Sequence, residues 1–360
     1  MLPFVVVRCV DEAARVACTA AALGFSGDSE PLIDTHLVVV DNGSTDGTPD
    51  IIKRIRRESL APVHLFAELE RGYVPPRRKG VAAAEALART MGADLGSVLI
   101  LQADADTTYK RGYVAAMRAA AAAQTGIMLE GATRRPPEFD EAHPAYVAAE
   151  RFVDDETEPF DAADEDEVVV DDKVCGYRLS DYLVWGGLFD EVTPSGDQIY
   201  AETTRMFIRA KLQHGARKVR VNPAGAASSR RKVTEDPWLH YATAGFPREA
   251  TWVSEWTKDE RRGRDVIDAD TFARRGLQAT ERDAVYLRRA HQLALFRYIP
   301  AMVARAENGS ATIELPKDVT AVLATLPRRS REDLARGPGL ALLDVLKLID
   351  THATLFGKPT

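Results

Sequence analysis

The chain has 360 residues, with 47 Lys and Arg against 54 Asp and Glu, a formal net charge of −7. Its 45% hydrophobic and 28% charged residues are ordinary globular values. They exclude a disordered, collagen-like or membrane-embedded chain, and the length suits one large domain or two ordinary ones. The acidic balance argues against nucleic acid as a partner. Cys9, Cys18 and Cys175 are scattered and form no CxxC pair, so neither a disulfide framework nor a zinc knuckle is indicated. Cys9 and Cys18 lie among apolar residues and are expected to be buried thiols in a reducing compartment. The segment Met1 to Arg8 lacks the basic start and cleavage site of a signal peptide. No apolar run approaches the roughly 20 residues of a membrane helix. The expectation is a cytoplasmic protein with no integral membrane segment.

Short apolar runs alternate with helical patterns through the first third. Phe4 to Arg8 reads as a strand, and Asp11 to Leu23 as a helix. Leu37 to Val40 is a second strand, unbroken by polar residues as in a parallel sheet covered on both faces. Thr48-Pro49 opens a helix, with proline in the first turn where its missing N–H costs little. Val63 to Phe66 and Val98 to Leu101 are the third and fourth strands, with a helix over Val81 to Met91 between them. A helix over Tyr113 to Ala123 and a fifth strand over Ile127 to Glu130 follow. Repeated β-α units of this length predict a doubly wound, mostly parallel α/β sheet, with ligands at the carboxyl ends of the strands.

From 134 to 173 the pattern breaks into an acidic stretch with Asp154, Asp155, Glu156, Asp164, Glu165, Asp166 and Glu167. It is expected to be an irregular, solvated insertion, or else a lid or acceptor-side loop. A helix is predicted from about Gln198 to His214 and a strand over Val219 to Val221. Beyond Pro237 helical patterns dominate, including Asp283 to Arg305 and Leu340 to Leu355. The expected division is a domain over 1–235 and a mainly helical C-terminal extension over 236–360. The apolar helix faces would brace an acceptor side or a homodimer interface.

Four clusters after strands carry the chemistry. Asp41 opens the turn Asp41 to Gly47 after the second strand, where a carboxylate can accept bonds from a base or ribose; Asp46 in the same turn suits a helix cap. Asp104-Ala105-Asp106 ends the fourth strand, and two such carboxylates can hold a hard divalent cation against phosphate oxygens, or merely make a turn. Asp197 follows Gly186 to Glu191 and is either the cap of the next helix or a general base. Arg77-Arg78-Lys79 and Ser228 to Lys232 supply guanidinium groups suited to phosphate oxygens.

Taken in order, these segments resemble those of family-2 glycosyltransferases of the GT-A fold. The resemblance runs over about residues 4 to 235. It is carried by Val38 to Thr48, by Leu99 to Thr107 with its DxD, by Arg77 to Gly80 and by Gly186 to Asp197. Asp11-Glu12, preceded by Arg8, stands where the family has Asn-Glu. Gly196 stands where a Glu precedes the base, and Ser228 to Arg231 where the family has a late His.

The resemblance implies inverting transfer of a sugar from a nucleotide-diphosphate donor to a hydroxyl acceptor it does not identify, with Mn²⁺ or Mg²⁺ as cofactor. It assigns the base to Asp197, the donor to Arg8, Asp11, Asp41, Arg77, Asp104, Arg230 and Arg231, and the cation to Asp106 with Asp104. Two alternatives remain open. One is a non-catalytic nucleotide-sugar-binding scaffold. The other is a sugar nucleotidyltransferase, disfavoured because the segment after the first strand has no glycine-rich loop.

Overall fold

The computed structural model describes residues 1–26, 32, 34–246, 267–275, 282–308 and 316–351. They fall into two compact units, each built from three chain segments. The first comprises 1–134, 170–190 and 202–229, and the second 135–169, 191–201 and 230–360.

The first unit is an α/β fold on one eight-stranded sheet. Its strands are β1 (Leu2–Cys9), β2 (His36–Asp41), β3 (Val63–Ala67), β4 (Val98–Asp104), β5 (Thr107–Tyr109), β6 (Ile127–Arg134), β7 (Cys175–Arg178) and β8 (Arg217–Ser228). The spatial order is β3-β2-β1-β4-β7-β6-β8-β5. The pairs β1–β2, β2–β3, β1–β4 and β6–β8 are parallel, while β4–β7, β6–β7 and β5–β8 are antiparallel. The mostly parallel α/β sheet expected from the sequence is therefore present. The strands that the alternation of β-α units did not reveal are β5 and β7. Both are antiparallel, and at three and four residues both are too short to show a period.

Parallel strands are buried on both faces, which is why β1, β2 and β4 read as continuous apolar runs. Val5, Val38, Val40, Leu99 and Leu101 are all sealed from solvent. The helix Val74–Thr90 starts earlier than the Ala-rich pattern suggested, because Pro75-Pro76 fits its first turn. It approaches the sheet closely at Gly80, where a Cβ would lie 2.3 Å from Val6 Cγ1. The first helix covers only Val16–Ala22, shorter than expected, and Cys18 on it is exposed while Cys9 and Cys175 are buried.

The second unit is helical. The stretch expected to be irregular forms the helices Pro137–Ala142 and Pro144–Thr157. Its acidic residues are used as ion-pair partners. Arg288 makes a two-pronged contact with Asp154 (2.9 and 2.8 Å), and Arg289 meets Glu156 at 2.6 Å. The apolar side of the same helix carries Tyr146, which packs edge-on against Tyr241 and beside Phe272. The predicted helix over 283–305 is two helices, Arg282–Leu293 and Ile299–Asn308, joined by one wider π turn at Ala294–Tyr298. The last described helix is Pro338–Thr351, and the end of the predicted Leu340 to Leu355 helix lies outside the described residues. No described helix is long and apolar enough to cross a membrane.

Candidate functional site

The strand register puts the candidate residues of the first unit on one edge. Arg8 is level with Val40 on one side and Asp104 on the other, and Cys9 is level with Asp41. Arg8, Asp41 and Asp104 thus end three adjacent parallel strands at their carboxyl ends, where ligands of such sheets bind.

Asp41 and the turn after it form a rigid cradle. The Ser44 amide reaches both Asp41 carboxylate oxygens, at 3.3 and 3.4 Å. Buried Asn42 donates to the carbonyls of Glu68 and Glu70 (2.9 and 2.7 Å). Arg71 donates to the carbonyls of Asn42 and Gly43 at 2.7 and 2.8 Å. Gly43 has φ +76, which favours glycine, and a Cβ there would meet the Arg71 guanidinium at 3.3 Å. Asp46 accepts from the Thr48 amide (2.9 Å) and from the Ala13 amide (3.1 Å), so it fixes the turn before the N-cap Gly47 and also pins the loop after β1.

Asp11 is spent on the same turn. At φ +52 its carboxylate accepts from the Thr45 amide at 2.7 Å and the Asp46 amide at 3.3 Å. Its own amide donates to Ser44 Oγ at 2.9 Å. Asp11, which the family resemblance assigns to the donor, thereby ties two loops together.

Asp104 anchors a charge network. Its Oδ1 accepts from Arg8 Nε (3.2 Å) and Arg77 Nη2 (2.9 Å). Burial would raise its carboxyl pKa, but the Arg8 and Arg77 guanidinium groups outweigh that and hold it well below the usual carboxylate range. Its amide donates to Tyr109 Oη, which donates to the Lys173 carbonyl at 2.7 Å. Arg8 also lies over the Tyr73 ring, 4.4 Å from its centroid.

Arg77 has no exposed surface. Its Nη2 also reaches Asp172 Oδ2 at 2.7 Å, its Nη1 donates to Gln102 Oε1 at 3.2 Å, and its Nε lies 3.0 Å from Glu202 Oε1. Arg77, which the family resemblance assigns to the donor, is held here among these buried groups. Nη1 and Nη2 are hydrogen-bonded, Nε faces Glu202 as an ion pair, and the whole group is buried. Arg78 is the outward member of the pair and meets Asp190 at 2.6 Å.

Asp172 and Glu202 were not singled out in the sequence. Asp172 sat at the end of an apparently solvated acidic stretch, and Glu202 within a predicted helix. Burial pushes the Asp172 carboxyl above its ordinary value; Arg77 pulls it down, but the neighbouring carboxylates Asp104 and Glu202 add to the rise.

Asp106 is half-buried, and its carbonyl accepts from the Ser229 amide at 3.0 Å. The pairing of Thr107 with Ser228 lays the end of β8 alongside the DxD turn. Among the described residues no three or more His, Cys, Asp or Glu side chains are grouped to hold a metal ion.

The remaining candidates belong to the second unit. Arg230 contacts buried Glu150 at 2.6 Å, as does Arg135 at 3.3 Å, and Arg230 stacks over Phe139. Arg231 pairs with Glu235 at 3.5 Å. Asp197 does not cap the following helix, which begins at Glu202. It lies instead in a closed loop, where its Oδ2 accepts from Ser195 Oγ at 2.8 Å and its amide donates to Thr193 Oγ1 at 3.1 Å.

No family model and no curated protein matches the chain. Among solved structures, it is similar to the mannosyltransferase PcManGT from Pyrobaculum calidifontis in complex with GDP-Man and Mn²⁺. That match has 16% identity and a TM-score of 0.47 over 99% of this chain and 84% of that one. It is also similar to S. aureus TarS 1–349 in complex with UDP-GlcNAc, with 12% identity and a TM-score of 0.42 over 98% and 92%. A third is glucosyl-3-phosphoglycerate synthase from Mycobacterium tuberculosis in complex with Mn²⁺, UDP and glucosyl-3-phosphoglycerate, with 14% identity and a TM-score of 0.40 over 66% and 75%. Likeness at this level assigns neither a substrate nor a residue role.

Proposed function

We propose that the chain is an inverting glycosyltransferase of the GT-A type, moving a sugar from a nucleotide-diphosphate donor to a hydroxyl acceptor. The observation that supports it best is the register of β2, β1 and β4. It sets Asp41, Arg8 and Asp104 side by side at the carboxyl edge, with Asp106 two residues further on.

In this reading Asp41 and the Asn42–Gly43 cradle hold the nucleoside. Arg8 and Arg77 fix the Asp104 carboxylate so that it meets the ribose without reorientation. Asp197 takes the proton from the acceptor hydroxyl as that oxygen forms its bond to the anomeric carbon. The bond from that carbon to the diphosphate breaks at the same time, and the electron pair leaves on the nucleoside diphosphate.

The oxygen donors fit a hard divalent cation that arrives with the diphosphate, since Mg²⁺ needs only one or two carboxylates when phosphates supply the rest. Asp106 would hold it, with Asp104 beside it, although one Asp104 oxygen is already bonded to the two arginines. When bound, the cation would offset the charge growing on the leaving diphosphate.

The test is calorimetric titration of UDP, GDP, ADP and TDP, with and without Mn²⁺, against wild type and Asp106→Ala. Cation-dependent binding of one nucleotide, lost in the variant, supports the reading; no binding by wild type sinks it. Binding without turnover of the matching nucleotide sugar would indicate a scaffold.

A further inference from the structure

The side chain of Glu191 joins the helix Pro338–Thr351 to the loop bearing Asp197. Glu191 Oε2 accepts from the Gly339 amide and Oε1 from the Leu340 amide, both at 2.9 Å. First-turn amides of a helix have no partner within it, and Pro338 has no N–H to offer, so these two are the first available. A carboxylate placed there also meets the positive end of the helix dipole. Its two bonds are charge-assisted and fix its orientation.

The main chain of Glu191 closes the loop. Its carbonyl accepts from the Ile199 amide at 2.8 Å, Val192 bridges Gln198 in antiparallel fashion, and the Thr193 amide donates to the Asp197 carbonyl at 2.8 Å. Asp197 lies within this closed stretch, its carboxylate held by Ser195. A hairpin with so few bonded pairs is marginal by itself. Its stem needs an outside anchor, and the side chain of its first residue supplies one.

Resting on the assignment of Asp197 as the base, we infer that Glu191 is a positioning residue that fixes the base-bearing loop to the N-terminus of helix Pro338–Thr351. The helical C-terminal region thereby becomes part of the transfer machinery. Displacing a reacting group by about 1 Å can cost on the order of 100-fold in rate, so losing the anchor should reduce turnover without touching donor affinity.

Five variants test this: Glu191→Ala, Glu191→Gln, Gly339→Pro, Asp197→Asn, and the double variant Glu191→Ala with Gly339→Pro. Gly339→Pro removes one donor from the far side of the contact and leaves Glu191 intact. A Pro-Pro pair already opens the helix Val74–Thr90 of this chain, so the change suits a helix start. Each variant is assayed for nucleoside diphosphate release from the donor selected by the titrations, for donor Kd, and for amide exchange of residues 193–199.

Glu191→Ala should lower kcat about 10- to 100-fold with donor Kd within twofold and faster exchange in the loop. Glu191→Gln, which keeps an acceptor oxygen, should be milder. The double variant Glu191→Ala with Gly339→Pro should be no worse than Glu191→Ala alone. Wild-type kcat in Glu191→Ala, with Asp197→Asn inactive, overturns the anchor and leaves the base assignment standing. Parallel loss of kcat and donor affinity in Glu191→Ala also overturns it, since that marks a general structural defect. Wild-type turnover in Asp197→Asn, or no nucleotide bound by wild type, removes the base assignment and the anchor with it.

Discussion

Asp104 and Asp172 share one nitrogen: Arg77 Nη2 lies 2.9 Å from a carboxylate oxygen of the first and 2.7 Å from one of the second. One fully buried guanidinium thus links the end of β4 to the residues just before β7, and its Nε holds Glu202 as well. Removing it would leave three carboxylates facing one another. Breaking a buried ion pair from one side costs about 3–5 kcal/mol. Arg77→Met is expected to lose at least that much in urea unfolding. Arg77→Lys keeps the charge but offers no planar fork, so it should fall between wild type and Arg77→Met. A loss within 1 kcal/mol for Arg77→Met, on the order of a surface substitution, would refute the hub.

Asp197→Asn separates binding from chemistry. A positioned general base contributes about 10²- to 10⁴-fold in rate, so kcat should fall by that factor while donor Kd stays within twofold. Calorimetry and a coupled assay for nucleoside diphosphate release check the two halves. An unchanged kcat would remove Asp197 from the reaction.

His36 and His64 stack across β2 and β3, with ring nitrogens 3.1 Å apart. Burial lowers both pKa values from the ordinary 6.5; for His36, Asp34 opposes the shift, while for His64, His36 and Arg56 add to it. The folded state therefore binds fewer protons than the unfolded state in the window just below pH 6.5. Stability is fully present above that window and declines as pH falls through it towards the lowered folded values. Thermal unfolding between pH 5 and 8 should show the decline, and His64→Leu should flatten it. A wild-type Tm that rises on acidification would contradict the pair's protonation state.

Gly80→Ala should be costly although alanine is the better helix former. The new methyl would sit 2.3 Å from Val6 Cγ1, and overpacking of this kind costs about 1–3 kcal/mol. The paired variant Gly80→Ala with Val6→Ala should recover part of that loss in urea midpoints. Full wild-type stability in Gly80→Ala would show that the helix moves away freely.

What the sequence revealed, and what it hid, follows from the range of the forces involved. Asp41 and Asp104 were legible because each stands at the end of a strand that an apolar run reveals, whereas Arg8 was assigned only through the family resemblance. The helix Tyr113–Ala123 was legible at both ends, where Gly112 precedes the first turn and Gln124 is extended.

Asp172 was hidden because nothing local distinguishes it from the acidic residues before it; only the fold brings it to Arg77. Arg77 was assigned to the donor because guanidinium groups suit phosphate oxygens; its three carboxylate partners come from distant segments, so its burial left no local mark. The helices over 137–157 were masked by acidic residues whose arginine partners lie far along the chain, at Arg288 and Arg289. The helix after Asp197 was read as starting at about Gln198 instead of Glu202, since a closed loop and a helix start both favour Ser, Gly and Asp.

The chain passes back and forth between its two units five times, at 134/135, 169/170, 190/191, 201/202 and 229/230. The two units are therefore plaited along the polypeptide. A cut after Ser229 would leave Asp154 in one piece and its partner Arg288 in the other, and would likewise part Glu191 from the helix it caps. During synthesis β1 to β4 can pair as they emerge. Within segment 135–169, Asp154 and Glu156 must wait for residues more than a hundred positions later before they find their arginines. A recombination point at any one of these five crossings would therefore separate segments that belong to the same unit.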